Sequence, residues 1–517
     1  MITMTVTSFY FFVFLIVGVS VYYLVPKKLQ WMVLLGCSVV FYYFAASFHT
    51  IIYLVISTLI AYISTLLMEK RKAKGGNNRI VFWISLIAII MNIGIWFVLK
   101  GSSFWIEGLF LLNRVSSLVP AVQSFSVVGA LGMAYYTSQV IGYILDVYWD
   151  NAKSQHNLLK LFLFVCYFPQ LTVGPISRYN DLKTIYDPHR LSYQNICFGC
   201  QRILWGLFKK LVISDRVGII VNGIWSDTET YTGIWWWVAV FLFPLQLYTD
   251  FSGCMDIVLG VSELFDIHLK ENFRNPFFSR NSQEFWQRWH ITLGTWARDY
   301  VYYPVLKSKF LVTLGKKSKK RFGKRWGKFI PWTIGMAILW FVMGFWHGSM
   351  QHIVGVSLWF WSMLVLSELF KPVFDYSINK IGIKTDVTSW HIFQSVRTYF
   401  VYSLGAVAFS SVGIRGGLEH YKLLLHSGDY WNPWVLFDKS ILNLGVTWQD
   451  VNLIIVGVLF LFIVAILREK HEYARLWIQK QNLIFRWLIW FVLFSIVLIE
   501  GLYGEGYDAS LFIYQGF

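Results

Sequence analysis

Charge is scarce in this sequence. Asp, Glu, Lys and Arg make up 14% of its 517 residues, whereas soluble domains carry about 25%. With 56% hydrophobic residues and a mean hydropathy of +0.52, a soluble globular class is excluded and a polytopic membrane class is expected. Cysteine is also sparse. The five are Cys37, Cys166, Cys197, Cys200 and Cys254, and they form no disulfide framework. Cys197 and Cys200 make a C-x-x-C without a second pair or a βαβ pattern, which reads as small residues on a helix. No G-x-S-x-G, H-E-x-x-H, Walker A or G-x-G-x-x-G occurs, so those hydrolase, zinc-protease and nucleotide sites are not expected. None of the eleven histidines has an acid at the H-x-x-x-x-D spacing. His347 and His352 have no third ligand nearby in sequence, and no metal site is expected.

Aromatic residues are abundant: Trp 26, Tyr 29 and Phe 44. Interfacial belts need fewer, so some are expected to line an interior cavity. Apolar runs of spanning length recur near 9–25, 31–47, 50–68, 80–99, 126–146, 158–176, 232–249, 329–346, 351–370, 393–413, 451–467 and 485–502. Runs at 104–112, 196–224 and 252–267 read as interfacial or re-entrant. The expectation is an all-α polytopic protein of about 11–13 membrane helices plus re-entrant segments. Met1–Tyr10 lacks a basic n-region and a small-residue cleavage site, so 9–25 reads as a first membrane helix. Gly417–Thr447 reads as an extramembrane loop. A single integral-membrane domain over 1–517 is expected, with a core of about 126–370 and peripheral helices in 1–125 and 371–517.

The net charge is +17, and the basic residues sit between apolar runs, as the positive-inside rule describes. Basic loops after the first and third runs place the N-terminus outside. Residues 307–328 carry ten Lys and Arg and no acid. This stretch reads as a cytoplasmic loop that attracts an anionic donor or contacts anionic lipid. No soluble domain is long enough to bind nucleic acid, and none is expected as a partner.

Between Tyr167 and Lys270 the apolar runs are interrupted by Pro, Gly, Arg and Asp. Irregular backbone at membrane depth is tolerated only beside protein or a water-filled cavity, which suggests a polar chamber. Asp250 and Asp256, in Tyr248-Thr-Asp250-Phe-Ser-Gly-Cys-Met-Asp256, read either as orienting a histidine or as capping broken helix ends. Arg178 and the pair Arg298–Asp299 also adjoin apolar runs, and the pair reads as an ion-pair anchor or as part of a site.

Two histidines sit in aromatic-rich blocks. Intramembrane imidazoles are costly and mark functional sites by default. In Asn281-Ser-Gln-Glu-Phe-Trp-Gln-Arg-Trp-His290, Asn281 reads as an N-cap with Glu284 completing a capping box. On the helix that follows, Phe285, Trp289, Leu293 and Trp296 share one face, and Glu284 pairs with Arg288. His290 falls beside Trp286, Leu293 and Ala297. An apolar setting keeps an imidazole neutral, as a base requires, and a satisfied histidine on a packed helix gives the same pattern. His347, in Met343-Gly-Phe-Trp-His347-Gly-Ser, is either an imidazole at a helix break opened by Gly348 or part of a polar turn.

These blocks, in their order, resemble the membrane-bound O-acyltransferase family. The similarity also runs through Ser8-Phe to Lys27, Leu131-Gly-Met-Ala-Tyr-Tyr-Thr137, Tyr143-Ile-Leu-Asp146, Phe168-Pro-Gln-Leu-Thr-Val-Gly-Pro175-Ile-Ser-Arg178, Glu271-Asn-Phe-Arg-Asn275-Pro, Arg298-Asp299-Tyr300 and Leu511-Phe-Ile-Tyr514. It is nearer to the bacterial branch that acetylates alginate or transfers D-alanine to teichoic acid. The extensions at both ends resemble the alginate-acetylating members. The resemblance implies helices ringing a central funnel, with His347 deep in a tunnel as general base and His290 as a second catalytic residue. His290, Asn275 or Arg288 would stabilise the oxyanion. Asn275, Arg288, Trp286, Trp346, Arg178 and Asp256 are the expected substrate-binding residues. No bound cofactor is implied. The donor would be acetyl-CoA or an acyl carrier thioester on the cytoplasmic side. Implied partners are an extracytoplasmic acyl-accepting protein, a surface polysaccharide and membrane lipids, in the cytoplasmic (inner) membrane. D-alanyl transfer, lipid acylation and a transporter without chemistry are the competing readings.

Overall fold

The computed structural model describes residues 4–46, 48–75, 78–100, 131–348, 352–409, 413–426, 433–436, 439–470, 474–503 and 507. The run at 104–112, the first residues of the 126–146 run and the 511–514 block lie outside the described residues. Every regular element among the described residues is helical. A chain in hydrocarbon must satisfy its own backbone polar groups, and helices do so within one segment. Among the described residues, eight helices are long and apolar enough to cross a membrane: Lys27–Ala45, Ile51–Ala73, Asn78–Val98, Ile234–Leu264, Lys324–His347, Gly355–Ile381, Trp448–Lys470 and Leu483–Glu500. The chain is an all-α, multi-pass membrane protein.

Three expectations from periodicity are corrected. The run at 158–176 is two helices, Leu158–Cys166 and Phe168–Leu171, broken at Tyr167. Pro169 falls in the first turn of the second helix, where its missing N–H is tolerated and where it prevents the first helix from running through. The freed amide of Phe168 donates to Ser38 Oγ at 3.1 Å. The runs at 232–249 and 252–267 are one helix, Ile234–Leu264. Much of the expected 417–447 loop is also helical, as Gly413–His426 and two short 3-10 turns.

The described chain forms two compact units. One comprises Met1–Asp215, Tyr248–Glu271 and His471–Phe517, and the other Arg216–Leu247 and Asn272–Lys470. Within the first, helix Tyr193–Leu207 packs on the second half of Ile234–Leu264 through facing glycines. A Cβ on Gly206 would stand 2.4 Å from the carbonyl oxygen of Gly253, and one on Gly260 would stand 2.7 Å from that of Gly199. Small residues let backbones approach in this way. Cys197 and Cys200 ride on the same helix as free thiols.

The close approach brings opposite charges into reach. Arg202 binds Asp256 (3.0 Å), Glu263 (3.2 Å) and Glu271 (2.7 Å). Lys209 meets the other oxygen of Asp256 at 2.6 Å, and Arg475 meets Glu263 at 2.5 Å. Lys210, in a π-helical stretch, pairs with Asp215 at 2.8 Å and Asp250 at 2.7 Å. These pairs explain why Asp250 and Asp256 do not break the helix. Both lie inside the unbroken helix and pair with cations, so they cap no helix end. Among the charged interruptions of this stretch, Arg202, Lys209, Lys210, Asp215, Asp250 and Asp256 form an ion-pair network.

Valine at Gly206 is expected to destabilise the fold by at least the upper end of the roughly 1–3 kcal/mol typical of overpacking, because the clash is with backbone. Thermal unfolding of the purified protein in detergent checks this, and an unchanged midpoint would refute the close packing.

Candidate functional site

The site is built in the second unit, where the expected continuous helix after Asn281 is broken. Helix Ser282–Arg288 starts as predicted. Asn281 Oδ1 accepts from the Glu284 amide at 2.9 Å, and Glu284 pairs with Arg288 at 2.8 Å. The capping box is altered, since Glu284 accepts from the amide of Arg280, not that of Asn281. Trp289 then turns to extended backbone, and His290 adopts φ 45°, ψ 52° before helix Ile291–Ala297 begins. Phe285, Trp289, Leu293 and Trp296 therefore do not share one helix.

A non-glycine residue in the left-handed region costs on the order of 1–3 kcal/mol and persists only where its surroundings over-determine it. Here the preceding strand of chain does so. The Arg274 amide donates to Arg288 O at 2.9 Å, and the Ile291 amide to Asn272 O at 3.0 Å. The side chain of Asn272 completes the turn. Its Oδ1 accepts from the Thr292 amide at 3.0 Å and the Thr292 hydroxyl at 2.9 Å, and lies 3.2 Å from His290 Nδ1.

Aromatic packing fixes the same region from the other side. Trp286 meets Trp340 and Phe360, each with ring centroids at 4.8 Å, and Phe285 meets Tyr402 at 4.3 Å. Each such pair contributes roughly 0.5–1.5 kcal/mol beyond burial. The His290 ring is 3% exposed. Burial pushes its pKa down, to about 3, because a charged imidazole is poorly solvated there. The ring is therefore neutral at physiological pH.

The two histidines are linked through one indole. Trp346 sits edge-on to His290 at 5.8 Å and edge-on to His347 at 4.9 Å. His347 is the last residue of helix Lys324–His347, and Gly348 at φ 81° ends it. A left-handed residue is the usual glycine terminus, and it turns the chain away just past the imidazole. His352 opens a π-helical stretch, is buried, and stacks on His347 at 5.0 Å with an 18° tilt. π-helical turns often occur at functional sites.

The structure thus gathers His290, Trp346, His347 and, through the aromatic cluster, Trp286. Asn275 and Arg288 lie in the same unit but bind elsewhere. Asn275 donates to Ala465 O at 3.0 Å and Glu469 Oε1 at 2.9 Å, and Arg288 reaches Glu469 at 2.7 Å. Arg298 and Asp299 pair at 2.9 Å, as one reading of them expected. Arg178 and Asp256 belong to the first unit, where Arg178 precedes helix Tyr179–Leu182. Sequence reasoning missed Asn272 and His352. The first stood one position into a block noted for Asn275, and the second was considered only as a metal ligand.

The neutral His290 ring at a helix break, with His347 across one indole from it, suits proton transfer to and from a hydroxyl. Comparison with known proteins agrees with that chemistry. Residues 148–315 match the sequence model of MBOAT, the membrane-bound O-acyltransferase family. The chain carries a membrane-bound O-acyltransferase domain. His290 and Asn272 fall within the stretch of this O-acyltransferase that matches the family, while Trp346, His347 and His352 lie beyond it. The O-acyltransferase is similar to a probable alginate O-acetylase of Pseudomonas aeruginosa, 24% identical over 438 residues, which cover 85% of this chain and 77% of the relative. It is similar to the peptidoglycan O-acetyltransferase of Helicobacter pylori, 27% identical over 52% of this chain and 51% of the relative. It is also similar to the teichoic acid D-alanyltransferase of Bacillus subtilis, 27% identical over 60% of this chain and 74% of the relative.

Proposed function

We propose that this O-acyltransferase passes an acetyl group from a cytoplasmic thioester, acetyl-CoA or an acyl carrier, across the membrane toward hydroxyls of a surface polysaccharide, with His347 as general base. The alignment that runs over 85% of the chain with a probable alginate O-acetylase carries this reading, while the similarity to a teichoic acid D-alanyltransferase covers 60%. In the step proposed, the hydroxyl oxygen attacks the thioester carbonyl as its proton passes to His347. The C–O bond forms, the C–S bond breaks, and the proton leaves with the thiolate. Trp286 and Trp346 shape the site around the acyl group. The first acceptor is an extracytoplasmic protein that delivers acyl groups to polymer, and the enzyme acts in the cytoplasmic membrane.

Release of ester-linked acids from surface polymer by mild base tests this reading. Acetate should be released from wild-type cells and lost from cells lacking the gene. Loss of D-alanine instead would move the assignment to teichoic-acid chemistry. No change in any ester would overturn it.

A further inference from the structure

We infer that Asn272 is a positioning residue that locks His290 in the tautomer with its proton on Nδ1, so that Nε2 presents a lone pair to the site. The argument rests on the identity of one oxygen. A backbone amide only donates, and the Thr292 amide points at Asn272 Oδ1 from 3.0 Å. The Thr292 hydroxyl donates to the same atom at 2.9 Å. That atom is therefore the carboxamide oxygen, not its nitrogen, and the usual ambiguity of an Asn side chain is removed. His290 Nδ1 lies 3.2 Å from this oxygen. Two lone-pair acceptors repel, so Nδ1 must carry the hydrogen. A neutral ring with its proton on Nδ1 has none on Nε2.

The same contacts hold the ring in place. Asn272 and His290 are both buried, and the Asn272 side chain supplies the acceptor that a helix N-cap would supply to the amide of Thr292. One carboxamide therefore ends the strained turn at His290, starts helix Ile291–Ala297 and sets the proton of the ring. The functional consequence rests on the acyltransferase reading. His290 acts as an acceptor for a hydroxyl proton or hydroxyl hydrogen bond, and in its neutral form it does not donate to an oxyanion. This departs from the oxyanion role expected from the family resemblance.

The test is nitrogen NMR of the full-length protein in lipid nanodiscs, with its histidine rings labelled with ¹⁵N. The His290 signals are those lost in His290→Gln. The expected spectrum has a protonated Nδ1 and an unprotonated Nε2 at neutral pH. Asn272→Asp, which keeps the acceptor oxygen, should retain that pattern. Asn272→Leu should give a tautomer mixture and lower kcat by at least about tenfold, as loss of an orienting partner does. A wild-type ring protonated on Nε2, or one unchanged in Asn272→Leu, would overturn the inference. If the leucine variant does not fold, the wild-type and aspartate spectra still decide. The spectrum needs no substrate, so failure of the acyltransferase reading would leave it unaltered and is separately visible.

Discussion

Replacing His347 with glutamine is expected to lower kcat for acyl transfer about 10²–10⁴-fold, the usual contribution of a general base. That corresponds to about 2.7–5.5 kcal/mol of transition-state stabilisation. Glutamine is close in size, keeps a hydrogen-bonding end and cannot take the proton of an attacking hydroxyl. The helix end at Gly348 and the flanking rings of Trp346 and His352 remain in the variant. Donor KM should therefore change little while kcat collapses. Purified wild-type and variant protein, supplied with labelled donor and acceptor, give both constants. A loss smaller than about tenfold would remove His347 from the proton-transfer step. A rise in KM with kcat intact would make it a binding residue instead.

The second large effect is expected at Arg202. Its guanidinium is nearly enclosed and touches Asp256, Glu263 and Glu271 together. Burial disfavours its charge, and Glu271, Asp256 and Glu263 reverse that preference. Arg202→Leu leaves carboxylates in a poorly solvated place, and removing one partner of such a pair costs about 3–5 kcal/mol. Lys209 and Arg475 still face Asp256 and Glu263, which places the expectation near about 3 kcal/mol. Arg202→Lys should fall between wild type and leucine, because a single ammonium does not span three carboxylates. Thermal unfolding in detergent measures both variants. A leucine variant as stable as wild type would show that the network has no net stabilising role.

Composition and periodicity revealed the membrane class, most of the long helices and the two histidines. They did so because apolar run length, and a histidine set in an aromatic-rich block, are local properties of the chain. The Asn281 cap and the Glu284–Arg288 pair were legible for the same reason, since both are set by spacing within one helix turn. The break at Trp289–His290 was not legible. Periodicity reports which residues would share a helix face, and it carries no information about a carboxamide eighteen residues upstream that replaces the helix's own hydrogen bonds. The unbroken course of Ile234–Leu264 was hidden likewise. An aspartate in an apolar run reads as a breaker until its cationic partner is known, and the partners of Asp250 and Asp256 come from Lys210, Lys209 and Arg202 on other elements. His352 became visible only when it stacked on His347.

The grip of Glu469 on Asn275 and Arg288 has a consequence for cutting the gene. Glu469 holds residues on both sides of the loop that leads to His290, and Arg468 beside it donates to Phe273 O at 3.0 Å. The stretch that matches the family model ends at residue 315, and the codons for His290 and His347 both lie at or before position 347. A fragment stopping anywhere from there to codon 468 would carry every histidine of the cluster except, in the shortest cases, His352, and would still lack the clasp that seats His290. The smallest working gene therefore extends through the codon for Glu469, more than a hundred codons past the last residue expected to do chemistry.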